Sequence, residues 1–375
     1  MSFRFNFSSE ELEPTENESN DSTAQSPIDK YDSLSSLFRF DKRPFVPPSE
    51  LIPNNLNDIL PSTLVAERVF FPTCEKSVLY KRHLSDVKFQ LAQEDNLLET
   101  DYNGDTRILE LTADSDIVQG VYEGGLKTWE CAHDLVEFLS KNISNLDFEG
   151  KKILELGCGS SLPGIYILTT KNPFRIDFQD YNEQVLKLVT IPNILLNTLL
   201  CPKSEDFFNG TAEIDVPERP NLLDQVKKSR FFMGDWSGLT DIINLNSEQE
   251  KYDLIISSET IYNTDSLPKL YNVIKYSLKR PNGIALIAAK SIYFGVGGGV
   301  LPFRHLIEQD KVFGIKIFYN AEAHAKLFIT NMFSNRYWKF KVFNSILSRL
   351  LKNTSPRNDQ HKINDLIHRI QRISG

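Results

Sequence analysis

KKILELGCGSSLPG, residues 151 to 164, runs an apolar strand into a glycine-rich turn and then into the start of a helix. Gly157 and Gly159 permit a sharp bend and a close backbone approach, because glycine tolerates positive φ at little cost. Strand, turn and helix in this order hold a nucleoside-bearing cofactor at the carboxyl end of a parallel sheet. Read as a dinucleotide fingerprint the stretch fails, since the third glycine position is Leu162. A pyrophosphate is therefore not what the turn is shaped for. S-adenosylmethionine carries no phosphate, and the Glu155 carboxylate beside the turn suits a cationic or amine-bearing ligand.

The surrounding chain alternates helical and short apolar stretches from about residue 119 to 334, the signature of a mostly parallel α/β sheet. Strands are predicted at Lys152 to Leu156, Arg175 to Gln179, Arg230 to Met233, Leu254 to Ser257 and Ile284 to Ala289. Helices are predicted at Trp129 to Ser140 and at Asn182 to Leu200, the second broken at Pro192. Residues 201 to 229 read as a long polar insertion loop. Before this domain, residues 1–35 read as a disordered acidic arm, and residues 36–118 as an accessory region with one short strand near Ile108 to Leu111. After it, residues 335–375 carry nine Lys or Arg against two Asp with apolar residues at helical spacing, the pattern of a basic helical tail.

Polar residues gather at the ends of the predicted strands. Asp180, about twenty residues beyond the glycine turn, is placed to accept two ribose hydroxyls; an N-cap would look similar. In GDW, residues 234–236, Asp235 offers an acceptor for an adenine amino group and Trp236 a ring face or edge. YDLIISSETIYN, residues 252–263, ends a core strand in Ser258, Glu259 and Tyr262, and a carboxylate there is costly unless satisfied. Upstream, EGGLKTWE brings Glu123, Lys127, Trp129 and Glu130 to the start of a helix as a lid. SIYFGVGGGV, residues 291–300, reads as a substrate-side loop or a flexible connector.

Composition narrows the classes. A net charge of −8 argues against general nucleic-acid affinity, leaving only the basic tail as a nucleic-acid contact. Four scattered cysteines without CxxC spacing point to reduced thiols rather than zinc. An apolar run of membrane-spanning length and a signal-peptide pattern are both missing from the sequence.

Taken together, EGGLKTWEC, ILELGCGSSLPG, DYN at 180–182, GDW, SSETIY and YFGVGGG resemble the histidine protein methyltransferase family of class I, seven-β-strand, S-adenosylmethionine-dependent methyltransferases. The resemblance implies a Rossmann-like α/β fold, helices on both faces of the sheet, finished by an antiparallel last strand. It implies cofactor contacts from Thr128, Trp129 and Glu130 at the start of the first helix, from Gly157, Cys158 and Gly159 at the turn, where Glu155 joins them by its place in the strand end, and from Asp180, Tyr181 and Asn182 after the second strand. Gly234, Asp235, Trp236 and Ser258 complete that set. Glu259 and Tyr262 are implied as the acceptor-side pair, in the place where lysine-directed relatives carry Asp and Tyr. The implied activity is methylation of a histidine in the third protein of the large ribosomal subunit, by a monomer in the cytoplasm and nucleus, without metal or membrane. The competing expectations are lysine methylation, a small-molecule methyltransferase, a non-catalytic scaffold and, least favoured, a nicotinamide oxidoreductase.

Overall fold

The computed structural model describes residues 46–52, 59–74, 76–97, 117, 122–142, 148–217, 226, 229–319 and 324–331. The acidic arm, the strand expected near Ile108 to Leu111 and the basic tail lie outside the described residues.

In chain order the strands are β1 (Ser49–Leu51), β2 (Thr63–Phe70), β3 (Val78–Arg82), β4 (Lys152–Leu156), β5 (Arg175–Asp180), β6 (Thr211–Asp215), β7 (Phe231–Met233), β8 (Leu254–Ser258), β9 (Ile284–Lys290), β10 (Phe313–Tyr319) and β11 (His324–Asn331). The helices used below are α1 (Leu84–Leu97), α2 (Glu130–Asn142), α3 (Leu162–Thr170), α4 (Glu183–Val185), α5 (Ile191–Leu196), α6 (Leu239–Ile243), α7 (Leu267–Ser277) and α8 (Val300–Asp310).

Eight strands form one sheet in the order β1-β7-β5-β4-β8-β9-β11-β10. β4 lies parallel between β5 and β8, while β11 runs antiparallel between β9 and β10. The inner strands read as near-continuous apolar runs because helices cover both faces. Alternation along β4 sends Ile153 to one core, with α2, α3 and α5, and Leu154 and Leu156 to the other, with α6, α7 and α8. The chain winds outward from β4 to β5 and β7, then restarts at β8 on the opposite side. That reversal opens a crevice at the carboxyl ends of β4 and β8, where open α/β sheets place their ligands.

Two local expectations are corrected. Residues 201–229 are not simply a loop: β6 within them pairs antiparallel with β2, from Thr63↔Asp215 to Glu67↔Thr211, and completes a small sheet of order β3-β2-β6. TAEID is too short to announce itself locally; the free edge of β2 makes it a strand. Nor does Pro192 break the second helix. The chain passes from α4 through a π-helical turn, Leu186–Thr190, into α5. Widening that turn accommodates the missing N–H and the ring of proline inside a helix.

Candidate functional site

The turn after β4 needs backbone angles that its glycines adopt at little cost. Gly157 and Gly159 both have positive φ, and a methyl group at Gly157 would come within 2.5 Å of the Thr260 methyl. Gly159 N–H donates to Asp180 Oδ2 at 2.8 Å, and Cys158 N–H to the Gln179 carbonyl at 2.8 Å. From behind, the Thr190 hydroxyl donates to the Gly159 carbonyl at 2.7 Å, and Asn193 Nδ2 to the Ser160 carbonyl at 3.0 Å. Both helix side chains are fully buried. The turn is thus held rigid before any ligand arrives.

Glu155 sits elsewhere than the cleft. Alternation along KILEL puts it on the face of Ile153, where its carboxyl meets the Ser161 hydroxyl and burial pushes it up to about 8. Thr128 faces a neighbouring cavity with Arg82 and Asn193. Glu130 is exposed and pairs with Lys290 at 3.0 Å. Asn182 is buried, and its Oδ1 accepts the Glu123 N–H at 3.1 Å, tying the segment before α2 to the end of β5.

The other expected residues converge. Trp129, Gly157, Cys158, Gly159, Asp180, Tyr181, Gly234, Asp235, Trp236, Ser258, Glu259 and Tyr262 all line one cleft of about 820 Å³, its mouth included. Burial, assisted by the nearby Glu123 charge and opposed by backbone N–H donors, pushes the Asp180 carboxyl up to about 6. Asp235 goes the other way: burial would raise it, but Lys269 Nζ at 2.8 Å and the Ser237 N–H hold it below the ordinary carboxylate value.

Two residues, Gln179 and Tyr293, add to those that the sequence singles out. Gln179 binds three parts of the cleft at once: its Oε1 accepts the Trp236 indole N–H at 2.7 Å and the Gly157 N–H at 3.3 Å, and its Nε2 donates to the Gly234 carbonyl at 2.9 Å. Tyr293 donates its hydroxyl to Glu259 Oε2. Tyr262 donates to Glu123 Oε2. The two tyrosine rings meet edge to face, 6.2 Å between centroids at 67°.

Glu259 follows β8 at a positive φ of 59° and is only 8% exposed. Its Oε1 accepts the Cys131 N–H at 3.4 Å, at the start of α2, where the helix dipole favours an anion. Burial, and after it the Glu259 carboxylate, pushes the Cys131 thiol up, which keeps the sulfur protonated and a poor nucleophile.

A sheet of order β7-β5-β4-β8-β9-β11-β10 with an antiparallel strand in the last hairpin, carrying a glycine turn and an acidic residue at adjacent strand ends, is the class I methyltransferase fold. The profile of the lysine methyltransferase family matches residues 107–204. The chain is similar to the histidine protein methyltransferase 1 homolog of Bos taurus, 43% identical over 222 residues, 58% of this chain and 57% of that protein. It is similar to histidine protein methyltransferase 1 of Schizosaccharomyces pombe, 36% identical over 242 residues, 61% of this chain and 68% of that protein. The match to histidine protein methyltransferase 1 of Saccharomyces cerevisiae is 28% identical over 346 residues, 83% of this chain and 92% of that protein. The chain belongs to the histidine protein methyltransferase family. It spans less than two thirds of the first curated relatives it matches, 57% of the bovine protein.

Proposed function

We propose that the chain is a protein-histidine N-methyltransferase that uses S-adenosylmethionine and acts on a histidine of a basic protein of the large ribosomal subunit. The observation that carries this reading is Glu259, a carboxylate held at the carboxyl end of β8 by Cys131 N–H and Tyr293 in the same cleft as the glycine turn and Asp180. When bound, S-adenosylmethionine supplies a methyl group already activated by positive charge.

The cleft fits that donor. Glu123, Asp180, Asp235 and Glu259 line it with Lys127; Lys269 pairs with Asp235, and the remaining three carboxylates against one ammonium favour a cation and repel a pyrophosphate. Asp180 is the acceptor for a ribose diol, with Gln179 holding Trp236 alongside as a wall for the base. Asp235 is already engaged by Lys269 and Ser237, so its role is to fix the GDW turn.

Neutral imidazole is nucleophilic at pH 7 and needs orientation more than a base. Glu259 accepts the N–H of the non-reacting ring nitrogen, which selects the tautomer and leaves the lone pair of the other nitrogen toward the methyl group. Methylation would leave a positive charge on the ring, and Glu259 would stand beside it as the stabilising carboxylate. Tyr262 and Trp129 close the mouth.

The match to the lysine methyltransferase profile favours a second reading, lysine methylation, at the same site. Incubation with labelled S-adenosylmethionine and ribosomal protein, followed by amino-acid analysis, separates the two. Methylhistidine is the expected product; methyllysine would overturn the first reading. Under the proposal the enzyme works as a monomer in the cytoplasm and nucleus, in ribosome biogenesis or translation.

A further inference from the structure

The loop between β9 and α8 points its side chains two ways. Tyr293 turns inward to Glu259, whereas its neighbours Ile292 and Phe294 are 56% and 90% exposed, with Leu301 at 65% just beyond. Scattered exposed apolar residues are ordinary. Here they stand on one short loop that carries the partner of the acceptor-side carboxylate.

Nor is this loop a slack connector. Its ends meet through the bridge Ile292↔Gly299, the bridge Asn263↔Gly297 ties it to the segment after β8, and Gly298 N–H donates to the Tyr262 carbonyl at 2.9 Å. Any side chain at Gly298 would overlap the backbone of Ile261 and Tyr262, so the loop lies flat on the turn that carries Glu259 and Tyr262. A rigid platform presents a large aromatic to solvent at low entropic cost on binding.

We propose that Ile292 and Phe294 form a docking ridge for an apolar side chain next to the acceptor histidine in a polypeptide substrate; this rests on the reading of the chain as a protein methyltransferase. The occupant is an extended segment of a basic protein. An acidic cleft, where Glu123, Asp180 and Glu259 outnumber Lys127 once Lys269 has paired with Asp235, attracts such a segment, and the ridge beside it supplies the desolvated anchor on which interface affinity concentrates.

The test compares wild type, Phe294→Ser and the double variant Ile292→Ser/Phe294→Ser, measuring methyl transfer to purified large-subunit ribosomal protein and calorimetric binding of S-adenosylmethionine. Both side chains are exposed, so folding is preserved. The expected result is a KM for protein raised about tenfold or more in the double variant, with kcat and cofactor Kd within about twofold of wild type. An unchanged KM overturns the ridge, as does a loss confined to kcat, which would assign the loop solely to holding Glu259. If wild type labels no polypeptide at all, the proposed activity itself falls and the ridge with it.

Discussion

Leu188 lies four residues before Pro192, and its carbonyl accepts a hydrogen bond from Arg82 Nη1 at 3.1 Å. Proline cannot supply the helical N–H for that carbonyl, and a guanidinium from the small sheet takes its place. Arg82 also gives Nε to Asp86 at 2.6 Å, with its own side chain fully buried. An accessory strand is in this way bonded into the helix that backs the glycine turn.

Arg82→Met is therefore expected to destabilise the fold by about 3 kcal/mol, since Asp86 and the Leu188 carbonyl would both lose a buried partner. Denaturant unfolding measures it. Arg82→Lys should recover little, because an ammonium cannot span two acceptors in the geometry of a fork. A loss under about 1 kcal/mol for the methionine variant would show the link to be dispensable.

Asp180 makes cofactor affinity dependent on pH. Burial places its carboxyl at about 6, above its ordinary 3.8, so it is neutral below that pH and a full acceptor above it. Affinity for S-adenosylmethionine should rise as pH passes upward through about 6, changing about tenfold per unit on the acid side. Asp180→Asn should bind about 10 to 100 times more weakly and without this dependence. Calorimetric titration from acid to neutral pH provides the reading.

Glu155 affects stability instead. Its folded value of about 8 lies above the ordinary 4.5, so the folded state holds the proton more tightly than the unfolded chain. The stability this contributes is complete below 4.5, declines as pH rises and is gone above about 8. Asp180 adds a similar decline that ends near 6, which leaves the stretch between 6 and 8 to Glu155. Glu155→Gln, which copies the protonated carboxyl, should flatten that stretch and gain about 2 to 3 kcal/mol at pH 7. Unfolding curves at pH 6, 7 and 8 would show it, and an undiminished slope in the variant would refute it.

Glu259→Gln removes the charge, keeps one carbonyl oxygen to accept the Cys131 N–H, and turns the contact with Tyr293 round, the amide NH2 donating to the tyrosine oxygen. Turnover on a histidine-containing protein should fall about 100-fold while the Kd for S-adenosylmethionine stays within about twofold. Single-turnover kinetics at saturating cofactor isolate the effect. Full activity in this variant would leave Glu259 as a brace and nothing more.

What the sequence reveals and what it hides follow from where each residue sits. The glycine turn, Asp180, GDW and ETIY are short strings at strand ends, and strand order alone gathers them. Gln179 escapes notice because it lies inside RIDFQD, one place before the residue the pattern highlights. Its signal was an amide where a central strand calls for an apolar side chain. Glu155 reads as a cleft residue from proximity to the turn, yet the two-residue period of KILEL already sets it beside Ile153, away from the ligand. SIYFGVGGGV reads as a substrate-side loop or a connector, but that Tyr293 is the side chain that turns inward depends on glycine backbone angles. β6 becomes a strand only because β2, far away in the chain, has an edge to offer.

That last pairing fixes an order of events. Thr63 and Asp215 are neighbours in the small sheet, but β4, β5 and the π-bulged helix lie between them along the chain. Contacts of such long sequence separation form late, after the loop that joins them has been closed at an entropic cost. During synthesis β2 must wait, its hydrogen-bonding edge bare, until Thr211–Asp215 has left the ribosome. An exposed edge of that kind invites pairing with other chains, so the nascent protein passes through a stage in which shielding β2 decides between folding and aggregation.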